Sequence, residues 1–164
     1  MDRYSVFIGC DPGKSGGIVA LDSMGNVLLT HAMPVIGKEY DLQKIHDLLD
    51  HYSAHKAYVG IENVHAIQGK AGNSSNFSFG LGKGILMGIV SGLKMPYLLV
   101  NPRQWQKEVW EGVTKQSDTK KTSLIAAKRL FPNQDFLASQ RSRKPHDGIV
   151  DGMLIAEYCR RKFK

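Results

Sequence analysis

The chain has 164 residues, 42% of them hydrophobic and 23% charged, which is enough for one domain with its own core, too little for two, and too apolar for a disordered chain. No apolar run approaches the ~20 residues of a membrane span, residues 6–10 are too short an apolar stretch for a signal-peptide core, and two cysteines, Cys10 and Cys159, cannot build a disulfide framework, so a reducing cytoplasm and no membrane partner are expected. The net charge is +7 and all of it lies late in the chain: residues 1–100 hold 8 basic and 8 acidic side chains, residues 101–164 hold 14 and 7, a one-sided balance that points to a polyanion such as nucleic acid.

Residues 4–11 are β-branched and aromatic, and Asp11-Pro12-Gly13 stops them, which predicts a strand ending in a turn. Residues 16–21 form a second strand, Gly25-Asn26 a turn, and residues 27–33 a third strand. Tight turns between them predict an antiparallel meander. Asp41 caps a helix to about Tyr52, with Leu42, Ile45, Leu48 and Leu49 on one face. Residues 57–62 are a short apolar strand suited to the centre of a sheet. Residues 63–75 are polar and Gly-rich and read as a mobile connection. A helix runs from Phe77 to Leu93, although Gly80, Gly82, Gly84, Gly88 and Gly92 each weaken it by about 1 kcal/mol against Ala. Small residues there imply close packing, against the sheet or against a partner. Residues 97–100 are the fifth strand. Asn101-Pro102 opens a short helix carrying Trp105 and Trp110. Ser117 or Asp118 caps a basic amphipathic helix to about Phe131, and Pro132 stops it. A loop over 133–144 ends in Arg141-Ser142-Arg143-Lys144, and Pro145 opens a last helix to about Phe163. This order predicts a single α/β domain over residues 1–164: a mixed five-stranded sheet flanked by helices, in the ribonuclease H-like pattern.

Four carboxylates stand out by position. Asp11 ends the first strand and Glu62 the fourth; if those strands are neighbours, the two acids lie side by side. Asp147 and Asp151 are one turn apart at the start of the last helix and share a face. Sites in open α/β sheets form at strand ends. Asp11 before Pro-Gly also suits a plain turn, and Asp147 an ordinary acid at a helix N-terminus. Glu62 on a central strand and Asp151 among apolar neighbours are harder to place without a use. Four clustered carboxylates need cations, and oxygen ligands without thiols favour Mg²⁺, with Mn²⁺ as a substitute. Two such ions about 3.5–4 Å apart can clamp the attacking and leaving oxygens of a phosphodiester. Lys120, Lys121, Lys128, Arg129, Arg141, Arg143 and Lys144 are candidate phosphate contacts; Arg160, Arg161 and Lys162 lie at the far end. The run Gly9 to Ser15 resembles a phosphate-binding loop, but its glycine spacing is one residue short and a strand follows it. The tryptophans beside an apolar strand read as core.

The segments Ile8-Gly9-Cys10-Asp11-Pro12-Gly13 with Gly16-Gly17, Ile61-Glu62, and His146-Asp147-Gly148-Ile149-Val150-Asp151-Gly152-Met153 together resemble the RuvC family of Holliday junction resolvases. Thr119-Lys120-Lys121-Thr122-Ser123 and Phe131-Pro132 resemble its phage and organellar branch. The resemblance implies a ribonuclease H-like fold, a homodimer, and Mg²⁺-dependent paired nicking of four-way DNA junctions in recombination and repair. Its first, second and last acids match Asp11, Glu62 and Asp151. The family's remaining ligand often lies three residues before the last acid, where this chain has Gly148; Asp147 and His146 are the neighbouring candidates. Bacterial members wedge the junction with an aromatic shortly after the second acid, and His65 is the nearest ring here. A ribonuclease H-fold nuclease for RNA or hybrids, or a non-catalytic branched-DNA-binding protein, would share parts of this pattern.

Overall fold

The structure is a computed structural model that describes residues 3–64 and 73–164. Strand β1 (Val6–Asp11) is the centre of a five-stranded sheet. It pairs antiparallel with β2 (Gly17–Asp22), which pairs antiparallel with β3 (Val27–Ala32). On its other side β1 pairs parallel with β6 (Ala57–Glu62), and β6 with β7 (Tyr97–Val100), giving the order β3-β2-β1-β6-β7. Between β3 and the first helix lies a two-residue hairpin, β4 (Val35–Ile36) with β5 (Glu39–Tyr40). The sequence reading has no such element, because strands this short carry no periodicity.

Five helices complete the chain: α1 (Leu42–Asp50), α2 (Asn73–Gly92), α3 (Pro102–Val109), α4 (Thr119–Leu130) and α5 (Asp147–Phe163). Asp41 caps α1 by accepting from Lys44 N at 3.0 Å, and Asp118, not Ser117, caps α4 by accepting from Lys120 N at 2.9 Å. Strand β1 opens two residues after the expected Tyr4 and α1 ends two before the expected Tyr52, and three further boundaries differ. Helix α2 already includes residues 73–75, which the sequence assigns to the connection; residues 65–72 of that connection, His65 among them, lie outside the described residues. Trp110 sits just past the end of α3, whose last residue is Val109. Helix α5 opens at Asp147 rather than Pro145, because His146 is extended (φ −94°, ψ 117°) and its N–H is already bonded to Phe136 O. Among the described residues no helix is long and apolar enough to cross a membrane.

Successive β-strand side chains point to opposite faces, so β1 feeds two cores. Phe7 joins Val19, Leu21, Trp105 and the buried face of α5. Val6, Ile8 and Cys10 join Ile45 and Leu49 of α1 and Leu86 and Val90 of α2. Helix α5 crosses the sheet backbone to backbone. A Cβ on Gly9 would lie 1.9 Å from Gly152 O, and one on Gly17 would lie 2.6 Å from Gly148 O. Glycine alone fits at those crossings. Asp147 and Asp151 each precede one of the two helix glycines, so this close seating carries both acids to the ends of β1 and β6.

Candidate active-site cleft

The register of the central strands brings the first two acids together. In the parallel β1–β6 ladder Cys10 lies opposite Ile61, so Asp11 and Glu62 follow side by side at the same edge. With Asp151, Asp147, His146 and Lys120 they line one cleft of about 1270 Å³. All four acids singled out from sequence therefore meet in a single site. Of the seven basic candidates, Lys120 alone lines it. Lys128 and Arg129 are at the other end of α4, roughly 12 Å along the axis, where Arg129 donates to Val109 O at 3.5 Å. Arg141 and Arg143 with Lys144 are exposed on the loop before α5.

Asp11, Glu62 and Asp151 open to the cleft on one side and are enclosed by protein on the others. Burial pushes Asp11 up from 3.8 to about 6, with a nearby Asp147 adding to it and Lys120 and the Gly13 N–H opposing. Glu62 rises from 4.5 to about 7 through burial and then repulsion from Asp11, opposed by the hydrogen bond from Trp105. Asp151 rises furthest, from 3.8 to about 8, through burial and the charges of Asp11 and Glu62, against a hydrogen bond from buried Ser123. Burial raises all three, and the charge of Asp11 adds to Glu62 and those of Asp11 and Glu62 to Asp151, which is the signature of acids short of positive charge. Asp147 differs: its side chain is 54% exposed and its Oδ2 meets Lys120 Nζ at 2.7 Å. That pair is open to solvent and contributes little to stability. His146 Nδ1 is buried with no hydrogen-bond partner among the described residues.

These acids offer oxygen and no sulfur, a donor set for a hard divalent cation. As they stand, no three His, Cys, Asp or Glu side chains among the described residues are drawn close enough to hold one. Each of the four has its own tie: Asp11 Oδ1 to the Gly13 N–H at 3.5 Å, Glu62 Oε1 to Trp105 Nε1 at 3.0 Å, Asp147 to Lys120, Asp151 to Ser123. The chemistry of the donors suits such an ion, while their present spacing does not form a closed ligand set among the described residues.

Several further residues line or brace the cleft that the sequence analysis does not assign to it. Lys14, in the run that resembles a phosphate-binding loop, and Arg103 line the cleft and add positive charge to it. Phe79 also lines it, close enough to Gly13 that a Cβ there would meet the ring at 3.1 Å. The Tyr40 hydroxyl lies 3.0 Å from Pro12 O, just past Asp11, and 3.2 Å from Ser78 O on α2. Lys83, also on α2, donates to Asn63 Oδ1 at 3.1 Å and Val64 O at 3.4 Å, just past Glu62. Trp105 is core, as its surroundings suggest, and a hydrogen-bond donor to Glu62 besides.

No protein-family model and no curated protein matches the chain. Solved structures do. RuvC of T. thermophilus in complex with a Holliday junction substrate aligns at a TM-score of 0.66 with 14% identity, over 97% of this chain and 96% of that one. A Thermus thermophilus RuvC structure aligns at 0.63 with 16% identity, over 96% of each chain. The yeast mitochondrial Holliday junction resolvase Ydc2 aligns at 0.57 with 16% identity, over 94% of this chain and 77% of its own. The likeness extends along nearly the whole chain and establishes a ribonuclease H-like fold, a mixed five-stranded sheet with flanking helices.

Proposed function

We propose that this chain is a structure-selective endodeoxyribonuclease that cuts four-way DNA junctions by metal-dependent phosphodiester hydrolysis. The observation that carries the reading is the meeting of Asp11, Glu62 and Asp151 in one cleft, on a fold shared with a RuvC in complex with a Holliday junction substrate and with a protein named as a Holliday junction resolvase. Asp11, Glu62 and Asp151 are the inner ligands, with Asp147 at the rim and His146 beside it as a phosphate contact, proton donor or substitute ligand. Two Mg²⁺ ions, or Mn²⁺, held there would supply an activated water and stabilise the leaving oxygen. Lys120, Lys14 and Arg103, which line the cleft, would hold the phosphates flanking the cut bond, Lys14 and Lys120 by leaving Lys38 O and Asp147, and Lys121, Lys128, Arg129, Arg141, Arg143 and Lys144 would extend positive charge along the same half of the chain. Phe79 offers an aromatic face at the cleft for an unstacked base.

A homodimer belongs to the same proposal, since paired nicks in a two-fold junction need two sites related by a two-fold axis. Helix α2 supports it. Gly82 packs inward, where a Cβ would lie 2.0 Å from Pro12 O, whereas Gly80, Gly84, Gly88 and Gly92 have nothing among the described residues within 4 Å of a built Cβ. Their spacing of four leaves one face of α2 open to close approach by another helix.

The test is cleavage of a synthetic four-way junction, a linear duplex and an RNA–DNA hybrid in Mg²⁺, beside EDTA and the Asp11→Asn variant. Paired nicks in the junction alone, lost in EDTA and in the variant, are expected. Cleavage of the hybrid alone would transfer the site to an RNA-processing enzyme. Binding of the junction without cleavage in any metal would make the chain a non-catalytic branched-DNA-binding protein.

A further inference from the structure

The two tryptophans lie in one core and have different partners. Their rings meet edge to face, with centroids 6.2 Å apart and an interplanar angle of 82°. Trp110 Nε1 is buried with no hydrogen-bond partner among the described residues. Trp105 is wholly buried, and its Nε1 donates to Glu62 Oε1 at 3.0 Å. Packing needs only the ring; an indole N–H in the core adds a demand for an acceptor. Here the acceptor is a carboxylate of the cleft.

The backbone makes this bond reachable. Glu62 lies opposite Val100 in the β6–β7 ladder, and α3 starts two residues after Val100 with Pro102 at its first turn. One turn into α3, Trp105 therefore stands over the end of β6. Two further bonds hold the strand ends together: Asn63 N to Val100 O at 2.8 Å, and Asn63 Nδ2 to Asn101 Oδ1 at 3.0 Å. The indole thus acts from a platform fixed to the strand that carries its acceptor.

We propose that Trp105 is a positioning residue for Glu62, its N–H holding one carboxylate oxygen so that a divalent cation in the cleft meets a ligand already oriented. The inference rests on the reading of Glu62 as a metal ligand. Outer partners that orient ligands are worth about 10–100-fold in metal affinity. The bond also makes the Trp105 indole proton a reporter of what happens at Glu62, which Trp110 is not.

The decisive measurement is Mn²⁺ binding to the full chain without DNA, by calorimetry or electron paramagnetic resonance, for wild type, Trp105→Phe and Trp110→Phe. Both variants trim the same core by a similar volume, and only the first removes a donor to Glu62. Trp105→Phe should weaken Mn²⁺ binding at least about tenfold, with Trp110→Phe within about twofold of wild type. Equal affinities in Trp105→Phe and wild type, or equal losses in the two variants, would overturn the inference and leave the metal site standing. No Mn²⁺ binding by wild type would bring down the metal site and the inference together. Should Trp105→Phe fail to fold, the wild type carries the test by nitrogen-15 NMR. Its two tryptophans give two indole peaks, and Trp110→Phe identifies which is which. Addition of Mg²⁺ should move the Trp105 peak and leave the other in place; no movement, or equal movement of both, counts against the inference.

Discussion

Asp151 provides a thermodynamic handle on the site that does not depend on any substrate. Its carboxyl rises from 3.8 to about 8 through burial and the charges of Asp11 and Glu62. The folded value lies above the unfolded one, so folding favours the protonated form. The resulting stability is fully present below pH 3.8 and is lost as pH rises through about 8. At 1.36 kcal/mol per pKa unit, the ionised side chain works against folding by on the order of 5 kcal/mol. Water reaches one side of the cleft and Asp11 and Glu62 share the repulsion, so one substitution should recover roughly half, about 2–3 kcal/mol. Asp151→Asn keeps an oxygen for the Ser123 hydrogen bond and removes the charge. In EDTA at pH 8.5 the variant should therefore melt about 5–10 °C above wild type. At pH 5, where the wild-type carboxyl is protonated, the two should differ by less than about 1 kcal/mol. Millimolar Mg²⁺ at pH 8.5 should raise the wild-type midpoint by mass action and leave the variant unmoved. Thermal and urea unfolding at the two pH values, with and without Mg²⁺, read all of this. A variant no more stable than wild type at pH 8.5 in EDTA would mean that Asp151 is not held among other buried carboxylates, and the account of the site would fail.

Three other perturbations address the periphery. Neutralising Lys120 and Lys121 together should lower the slope of log affinity for a junction against log salt by about 1–2; an unchanged slope would return both to the solvated surface. Asp147→Asn should cost more cleavage in Mg²⁺ than His146→Ala, because a carboxylate suits the ion better than an imidazole, and the reverse order would make His146 the fourth ligand. Gly88→Glu has room in the single chain, so it should fold normally and convert a dimer into a monomer by light scattering. A variant that remains dimeric would move the interface away from α2.

The architecture was legible because its strands are short, apolar and punctuated by Asp-Pro-Gly and Gly-Asn turns. The acids were legible for a physical reason as well: a carboxylate ending a buried strand, or facing an apolar stretch of helix, is expensive unless it is used. What the sequence could not show is how those acids are held. The Trp105–Glu62 bond spans 43 residues, Tyr40–Pro12 spans 28 and Lys83–Asn63 spans 20, and none leaves a local period. Trp105 satisfies every rule for a core residue, and only its nitrogen's direction gives it a second role. Helix α5 starts two residues later than the sequence implies because proline at a first helical turn is the common pattern; here Pro145 precedes the cap, and the N–H of His146 is taken by Phe136 O.

The open face of α2 and the acids are also joined mechanically. On one residue of that helix, Gly82, the missing side chain lets Pro12 O and the Tyr40 hydroxyl press against the backbone, one residue beyond Asp11. On the next residue, Lys83, the ammonium group grips Asn63 and Val64, immediately beyond Glu62. Two consecutive positions thus brace the two strand ends that carry the central pair of acids. The opposite face of the same helix carries Gly84 and Gly88, open to solvent. In the proposed homodimer, a partner on the glycine face would bear on the helix whose Gly82 and Lys83 meet the chain just beyond Asp11 and Glu62. Among the glycines of α2, Gly82 alone has an atom of the described residues within 4 Å of a built Cβ, and the proposed pairing would give the others a role.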